Sequence, residues 1–243
     1  MIIINRRILS ILILIAILLA GCSQQISPAN TGVQKNVHID WINFIQVNDI
    51  HYYDANNYCG RDLTSADIGQ KVSEVKFKVS DNVFDPSYKT KDGDAAFLEK
   101  GTPLYSVKGY KPEFRLAAYF DGKITMYEAH YNPKAKIGED LIDIRDKVKY
   151  IGINSEQDGI TELAKIEAEN TVKTMVDNVL SADIVDQKNY DLFGTRYFIA
   201  FHLKDGTAIT YSYWVNSRYL ALGVECPLEF QNEIDKAIMK IKQ

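Results

Sequence analysis

The sequence predicts an α+β fold in which antiparallel β-sheets are packed by one or two amphipathic helices. Three observations lead to this prediction. Short apolar segments recur between turn residues, two of the turns contain Asp-Gly, and two later segments carry apolar side chains at helical spacing. The 243 residues are 46% hydrophobic and 25% charged, which fits a globular protein and excludes a disordered or multi-spanning membrane chain.

The first half of the chain carries the strand signals. The nearly continuous apolar run Ile39–Val47 is typical of a strand buried on both faces. In residues 72–79 apolar and charged side chains alternate, which predicts a strand with one solvent-exposed face. The pair Asp121-Gly122 predicts a two-residue hairpin between strands at 114–120 and 124–128.

The second half adds helices to the same pattern. Residues 148–153 are predicted to form a strand, and Asp205-Gly206 predicts another hairpin. From Glu169 onward the apolar period becomes helical, with Asn170 as the expected N-cap, and Pro227 is expected to open a second helix. The predicted apolar helix faces comprise Val172, Met175, Val176, Val179 and Leu180, and then Phe230, Ile234, Ile238 and Ile241.

Four segments follow from this pattern. We expect a signal peptide at 1–21, a polar lipidated tether at 22–36, a β-rich subdomain at 37–145 and an α+β subdomain at 146–243. The fold is therefore expected to contain two small subdomains that meet near residue 145.

The N-terminus indicates where the protein resides. Arg6 and Arg7 precede an apolar stretch, Ile8–Ala20, that is shorter than the roughly 20 residues of a membrane-spanning helix. It ends in Leu19-Ala20-Gly21-Cys22, which resembles the bacterial lipobox. The resemblance implies lipidation of Cys22 and cleavage before it, so we expect a lipoprotein on the outer side of the cell membrane. The alternative is an uncleaved N-terminal anchor.

Two further segments resemble known sequences. The stretch Gly93–Tyr105 (GDAAFLEKGTPLY), followed by Phe114–Ala118 (FRLAA), is similar to a segment of uncharacterised secreted lipoproteins of Gram-positive, spore-forming bacteria. The region Tyr197–Cys226 resembles, less specifically, a hairpin module of similar secreted proteins. These resemblances support the compartment and imply no catalytic activity.

The other two cysteines, Cys59 and Cys226, lie in the expected extracytoplasmic part. A disulfide between them would close most of the domain and contribute about 4–5 kcal/mol in the chain-entropy model. Two separate buried thiols are the alternative. With no C-x-x-C pair, neither a thioredoxin-type site nor a cysteine zinc site is indicated.

The common catalytic motifs do not occur in the sequence, which lacks G-x-S-x-G, H-E-x-x-H, a P-loop and G-x-G-x-x-G. We therefore expect no cofactor and no metal. His51 and Asp54 could ligate a metal only if His38 or His130 joined them, and a packed or surface role is the simpler interpretation. The net charge of −4, without a basic run, argues against nucleic acid as a partner.

Two features remain as candidates for binding. Tyrosine is abundant at 15 residues, and Tyr52, Tyr53 and Tyr58 cluster in one segment that could form a recognition surface or cover the sheet edge. Arg115 lies among apolar residues. It is either solvated on an exposed strand face or buried against a carboxylate such as Glu113 or Asp94, where it would be a structural link or a ligand anchor.

These observations favour a non-enzymatic binding or interaction role for a membrane-anchored lipoprotein. The expected partners are the membrane, through the lipid on Cys22, and an envelope protein, peptide or polymer. The alternative is a cell-envelope hydrolase whose paired carboxylates form no recognisable motif. A deep pocket with two poorly solvated acids would favour the hydrolase, and a tyrosine-lined groove would favour binding.

Overall fold

Two β-sheets and two helices make up the part of the chain that the computed structural model describes, residues 39–55 and 60–240. The first sheet contains β1 (Phe44–Val47), β2 (Ile50–Asp54), β3 (Ile68–Glu74), β4 (Phe77–Lys78), β5 (Asp94–Ala95), β6 (Pro103–Val107), β7 (Arg115–Phe120) and β8 (Lys123–Tyr131). The second contains β9 (Val148–Asn154), β10 (Glu162–Ile166), β11 (Arg196–Leu203), β12 (Ala208–Trp214), β13 (Tyr219–Leu220) and β14 (Val224–Glu225). The helices are α1 (Glu169–Ser181) and α2 (Leu228–Met239).

The first sheet is curled. Its strands follow the order β3-β6-β7-β8-β2-β1-β5-β4, so that β3 and β4 lie at opposite edges. Only Val75 and Lys76 separate these two strands in sequence. Because the three residue steps from Glu74 to Phe77 span at most about 11 Å, the sheet must bend until its edges approach each other. The predicted single strand at 72–79 is thereby divided between the two edges.

Residues alternate between the two faces of this curled sheet. Tyr52, Leu116 and Tyr127 point into its interior and join the core there. Arg115 and Tyr53 each lie directly opposite Glu128 on a neighbouring strand, so these three side chains share the outer face. The two faces therefore differ in character, since the inner one is apolar and the outer one carries buried charge.

The second sheet has the order β10-β9-β11-β12-β13-β14, and all of its strand pairs are antiparallel. One of its faces carries Ile151, Ile153, Ile199 and Phe201, which pack with the apolar faces of α1 and α2. The predicted helix faces are buried at Val172, Met175, Val176, Val179, Leu180, Phe230 and Ile234. The opposite face of this sheet, on which Gly152 lies, carries no helix among the described residues.

Both Asp-Gly pairs lie between antiparallel strands, but the turns differ. Between β7 and β8, Asp121 and Gly122 both have positive φ values, 49° and 72°, as a two-residue type I′ turn requires. Between β11 and β12, only Gly206 of the pair has a positive φ, 87°. There the Leu203 N–H donates to the Thr207 carbonyl, which closes a three-residue loop, longer than the turn between β7 and β8.

The helix starts differ slightly from prediction. The N-cap of α1 is Ala168, and Asn170 lies inside the helix. Pro227 is itself the N-cap of α2. None of the helices in the described residues is long and apolar enough to cross a membrane.

The class predicted from sequence is confirmed, because two helices pack with mostly antiparallel sheets in an α+β fold. The residues from Val37 onward group into one compact unit, and the boundary between 37–145 and 146–243 stays a prediction. The predicted signal peptide, tether and lipidated Cys22 lie outside the described residues, as do Tyr58, Cys59 and Ile241.

Candidate binding cleft between the two sheets

A buried arginine joins the two sheets. Arg115 is completely inaccessible to solvent, and its Nε and Nη2 donate to Glu128 Oε1 at 2.9 and 2.6 Å. Its third nitrogen, Nη1, donates to Thr207 Oγ1 on the second sheet's hairpin loop at 2.8 Å. The guanidinium also lies against the rings of Tyr110 and Phe114, 4.4 and 4.9 Å from their centres. Its charge is therefore paired and each of its three nitrogens donates a hydrogen bond, as burial of an arginine requires.

The hairpin loop that carries Thr207 is itself held on both sides. Asp205 accepts hydrogen bonds from the Thr207 N–H and hydroxyl at 2.8 and 2.7 Å, and from the Tyr110 hydroxyl at 2.7 Å. Arg61 Nε donates to the Asp205 carbonyl at 2.7 Å. Arg115 lies on β7, and Arg61 and Tyr110 lie in loops that connect strands of the first sheet, so this network fixes the β11–β12 loop to the first sheet and its loops.

Next to this link lies a cleft of about 260 Å³ between β2 and β8 on one side and β11 and β12 on the other. We call it the inter-sheet cleft. Residues from both sheets line it, and those that carry rings or charge are Tyr53, Asp54, Glu128, His130, Phe198 and Tyr211. The rings of Tyr53 and His130 lie 4.7 Å apart. The cleft therefore combines four aromatic rings with the carboxylates of Asp54 and Glu128.

The cleft has distinctive electrostatics. Burial raises the pKa of Glu128, and the positive charge of Arg115 opposes that shift. Burial likewise raises the pKa of Tyr211. Loss of solvation, reinforced by nearby His51, lowers the pKa of His130. At neutral pH, Tyr211 and His130 are therefore uncharged, and the charge of Glu128 is balanced by Arg115.

This arrangement suits recognition of a small, uncharged polar group. Tyrosine and histidine rings offer flat apolar faces together with hydrogen-bonding tips. Ligand sites usually enclose about 300–1,000 Å³, so this cleft has room for one sugar unit or one amino-acid side chain. The remainder of a larger ligand would lie outside it.

The predicted tyrosine cluster is divided by the sheet. Tyr52 is only 2% exposed in the core of the curled sheet, and its hydroxyl donates to the Pro112 carbonyl at 3.0 Å. Tyr53 is partly exposed and points toward the cleft. Tyr58 lies outside the described residues. Of the residues described, Tyr53 is thus the member of the cluster that can contact a ligand.

The partner expected for Arg115 is corrected by the structure. Glu113 is exposed, and Asp94 instead accepts hydrogen bonds from the Tyr88 hydroxyl and the Lys91 N–H within its own loop. The partner is Glu128, because the antiparallel register of β7 and β8 places it directly opposite Arg115. Of the alternatives considered, the buried structural link is the one observed.

The remaining candidates are dispersed. His51 and Asp54 point to opposite faces of β2, so they cannot share a metal ion. Among residues 39–55 and 60–240, no group of three or more His, Cys, Asp or Glu side chains is placed to hold a metal ion. Cys226 is a buried free thiol, and its proposed partner Cys59 lies outside the described residues.

Sequence reasoning did not identify Glu128, His130 or Tyr211 as residues of one site. Each lies on a strand with an ordinary alternating pattern, and they meet only because β8 approaches β12 from another sheet. The one available signal was Arg115, a charged residue in an apolar segment, which required a buried carboxylate nearby.

Comparisons of the chain with protein-family models, with curated proteins and with solved structures found no match.

Proposed function

We propose that this protein is a membrane-anchored extracytoplasmic lipoprotein that binds part of an envelope peptide, protein or polymer in the inter-sheet cleft. The observation that carries the proposal is the convergence of Tyr53, His130 and Tyr211, from two different sheets, around one small cleft. Aromatic side chains on rigid strands lose little conformational freedom when they bind a ligand.

The link through Arg115 supports a binding role because it rigidifies the wall of the cleft. Glu128 contributes to that wall and is held by two donors of Arg115. A preformed site binds with a smaller entropic cost than one that must be ordered by its ligand. We propose that the two sheets act as two small subdomains that hold the ligand between them.

The proposed location rests on the N-terminal sequence. Two or three acyl chains on Cys22, each contributing about 0.8 kcal/mol per buried CH₂, would hold the protein on the membrane. The polar segment 22–36 would then let the binding domain reach envelope material close to the membrane. The resemblance to secreted lipoproteins of Gram-positive, spore-forming bacteria supports the same location.

The test is ligand binding by the full chain in detergent, measured by calorimetry against soluble envelope sugars and short envelope peptides. We expect one class of compound to bind, and Tyr53→Ala and Tyr211→Ala to weaken its binding at least about tenfold, the loss expected for central aromatic contacts. Tyr119→Ala is the matched control, because Tyr119 is 52% exposed on β7 and does not line the cleft. Equal binding by all three variants would contradict the proposal.

One observation favours the hydrolase as a second candidate. Glu128 is a poorly solvated carboxylate with a raised pKa, as a general acid requires. A glycoside hydrolase would also need a second carboxylate about 5–10 Å away. Asp54 lines the same cleft, but it is solvent-exposed, and its place opposite Tyr127 directs its side chain to the other face of the sheet. Product release from the same compounds, lost in Glu128→Gln, would identify the protein as a hydrolase instead.

A further inference from the structure

A second site lies on the helix-free face of the second sheet, around Gly152 of β9. The φ value of Gly152 is not in the left-handed region, so its backbone conformation does not require glycine. Space does. A Cβ atom at this position would lie 2.9 Å from Glu162 Oε2, 3.2 Å from His202 Nε2 and 3.3 Å from Asn154 Oδ1. Three side-chain atoms from three strands therefore converge on one point above the glycine.

The register of the sheet explains this convergence. Asn154 lies two residues beyond Gly152 on β9, which places both on the same face. Glu162 on β10 lies opposite Asn154, and His202 on β11 lies opposite Tyr150. The His202 ring stacks on the Tyr150 ring at 4.2 Å with an angle of 10° between them, which fixes the orientation of the imidazole.

Asn154 supplies an independent indication that a ligand is accepted here. The residue is 6% exposed, and its Nδ2 donates to the Gly159 carbonyl at 3.0 Å. That bond turns Oδ1 toward the space over Gly152, where it has no hydrogen-bond partner among the described residues. Buried polar atoms are nearly always partnered, so an acceptor left free in this position needs an explanation.

We propose that Glu162 Oε2, His202 Nε2 and Asn154 Oδ1 bind one divalent transition-metal ion of the zinc class. All three atoms can donate a lone pair to a cation. The 3.8 Å between His202 Nε2 and Glu162 Oε2 is too long for a hydrogen bond. It suits two ligands of one ion, because bonds of about 2.0–2.2 Å place neighbouring ligands about 3–4 Å apart.

The donor set favours zinc over calcium or magnesium. Imidazole nitrogen is a good ligand for zinc, whereas calcium and magnesium prefer oxygen alone. Three protein ligands also leave a fourth position, which can face solvent because the side chains of Glu162 and His202 are 25% and 29% exposed.

The position of Lys165 is compatible with a metal ion bound by Glu162. Its Nζ lies 3.4 Å from Glu162 Oε1, the carboxylate oxygen that is not directed at the site. It also lies 4.8 Å from the centre of the Tyr150 ring. Contacts behind a metal ligand commonly hold it in place, and here the lysine would hold Oε1 while Oε2 faces the ion. The positive charge of Lys165 would lower the affinity of the site for the metal ion.

Zn²⁺ titration of the full chain in detergent, followed by calorimetry, tests the proposal, with Co²⁺ absorption as an independent report of the ligands. We expect one ion whose affinity falls at least tenfold in His202→Phe, Glu162→Gln and Gly152→Ala, since changes even behind metal ligands cost about 10- to 100-fold. His202→Phe keeps a flat ring over Tyr150, and Gly152→Ala fills the site. His51→Phe is the matched control, because His51 is a partly exposed histidine of the first sheet.

Two results would overturn the proposal. One is wild-type Zn²⁺ binding no tighter than the millimolar range, and the other is binding that His202→Phe and Glu162→Gln leave unchanged. Thermal unfolding without metal shows whether each variant is folded. If Gly152→Ala fails to fold, Zn²⁺ binding by the conservative Glu162→Gln variant tests the proposal instead. Zn²⁺ should also raise the melting temperature of the wild type and not that of His202→Phe.

Discussion

Arg115 and Glu128 lie directly opposite each other on β7 and β8, and their ion pair is buried where the first sheet contacts the second. The side chain of Arg115 is 0% exposed and that of Glu128 is 15% exposed. Through Thr207 the same arginine also holds the β11–β12 loop. Arg115 therefore connects β7, β8 and the β11–β12 loop, and its partner Glu128 lines the proposed binding cleft.

Removing Glu128 should be costly. In Glu128→Ala the guanidinium of Arg115 stays buried without its counter-charge, so we expect unfolding free energy to fall by about 3–5 kcal/mol. Urea denaturation measures this. As a control, Lys71→Ala breaks an exposed pair with Glu74, in which the side chains are 51% and 53% exposed, and should barely change stability. A similar small effect in Glu128→Ala would show that the pair is not a structural link.

Tyr52 and Tyr53 should behave differently although they are adjacent. Tyr52→Ala empties a site in the core and should lower the unfolding free energy by about 3–5 kcal/mol. Tyr53→Ala removes a partly exposed ring and should cost clearly less, while weakening ligand binding. Paired urea denaturation curves compare the two. Equal losses of stability would mean that Tyr53 is also a core residue.

Acid should weaken the structure partly through Asp67. Two hydrogen bonds from Arg61, at 2.8 and 3.0 Å, and one from the Thr64 N–H lower the pKa of Asp67 below its ordinary value of 3.8. A lowered pKa in the folded state stabilises the fold above the ordinary value, and this stabilisation is lost as pH falls through the folded value.

Asp67→Asn should therefore reduce stability at pH 6, and the difference from wild type should shrink below pH of about 4. Urea denaturation between pH 6 and pH 2 measures this difference. If it stays constant across the range, the carboxylate of Asp67 makes no pH-dependent contribution.

Cys59 and Cys226 should be separate thiols. Gly60, the residue after Cys59, lies against Gly206 and Ala208 at the start of β12. The backbone N–H of Cys226 donates a hydrogen bond to the Arg218 carbonyl, which lies beyond the other end of that strand. The seven residues of β12 span about 20 Å, and a disulfide needs Cα atoms within about 7 Å.

We therefore expect both thiols to be alkylated after denaturation without reductant, as counted by mass spectrometry. Burial raises the pKa of the Cys226 thiol, so this residue should react slowly in the folded protein. A mass two hydrogens lower, with neither cysteine labelled, would reveal the disulfide instead.

Cys22→Ala should abolish lipidation and cleavage by the lipoprotein-specific peptidase, because the thiol of Cys22 is the expected acceptor of the lipid. Labelled palmitate incorporation and fractionation of cells test this prediction. Palmitate still entering the variant, or wild-type protein in the cytosolic fraction, would refute the proposed location.

Local patterns explain which predictions from sequence succeeded. The helical spacing from Val172 to Leu180 identified the buried face of α1, since that spacing depends only on the geometry of one helix. The apolar run 39–47 was right only in its second half, because Phe44–Val47 form the buried strand β1, whereas Ile42 is 66% exposed. The sequence grouped Tyr52 with Tyr53 as one cluster, whereas strand β2 places their side chains on opposite faces of the sheet.

The sequence by itself determined the α+β class and the expected location, because hydrophobic period, turn residues and the N-terminal signal are properties of neighbouring residues. Tertiary structure alone decided that Arg115 pairs with Glu128, that β8 and β12 enclose a cleft, and that Glu162 and His202 meet over Gly152. Each of these depends on strand register and sheet curvature. Those features bring together residues far apart in the chain, and they are set by the packing of the whole domain.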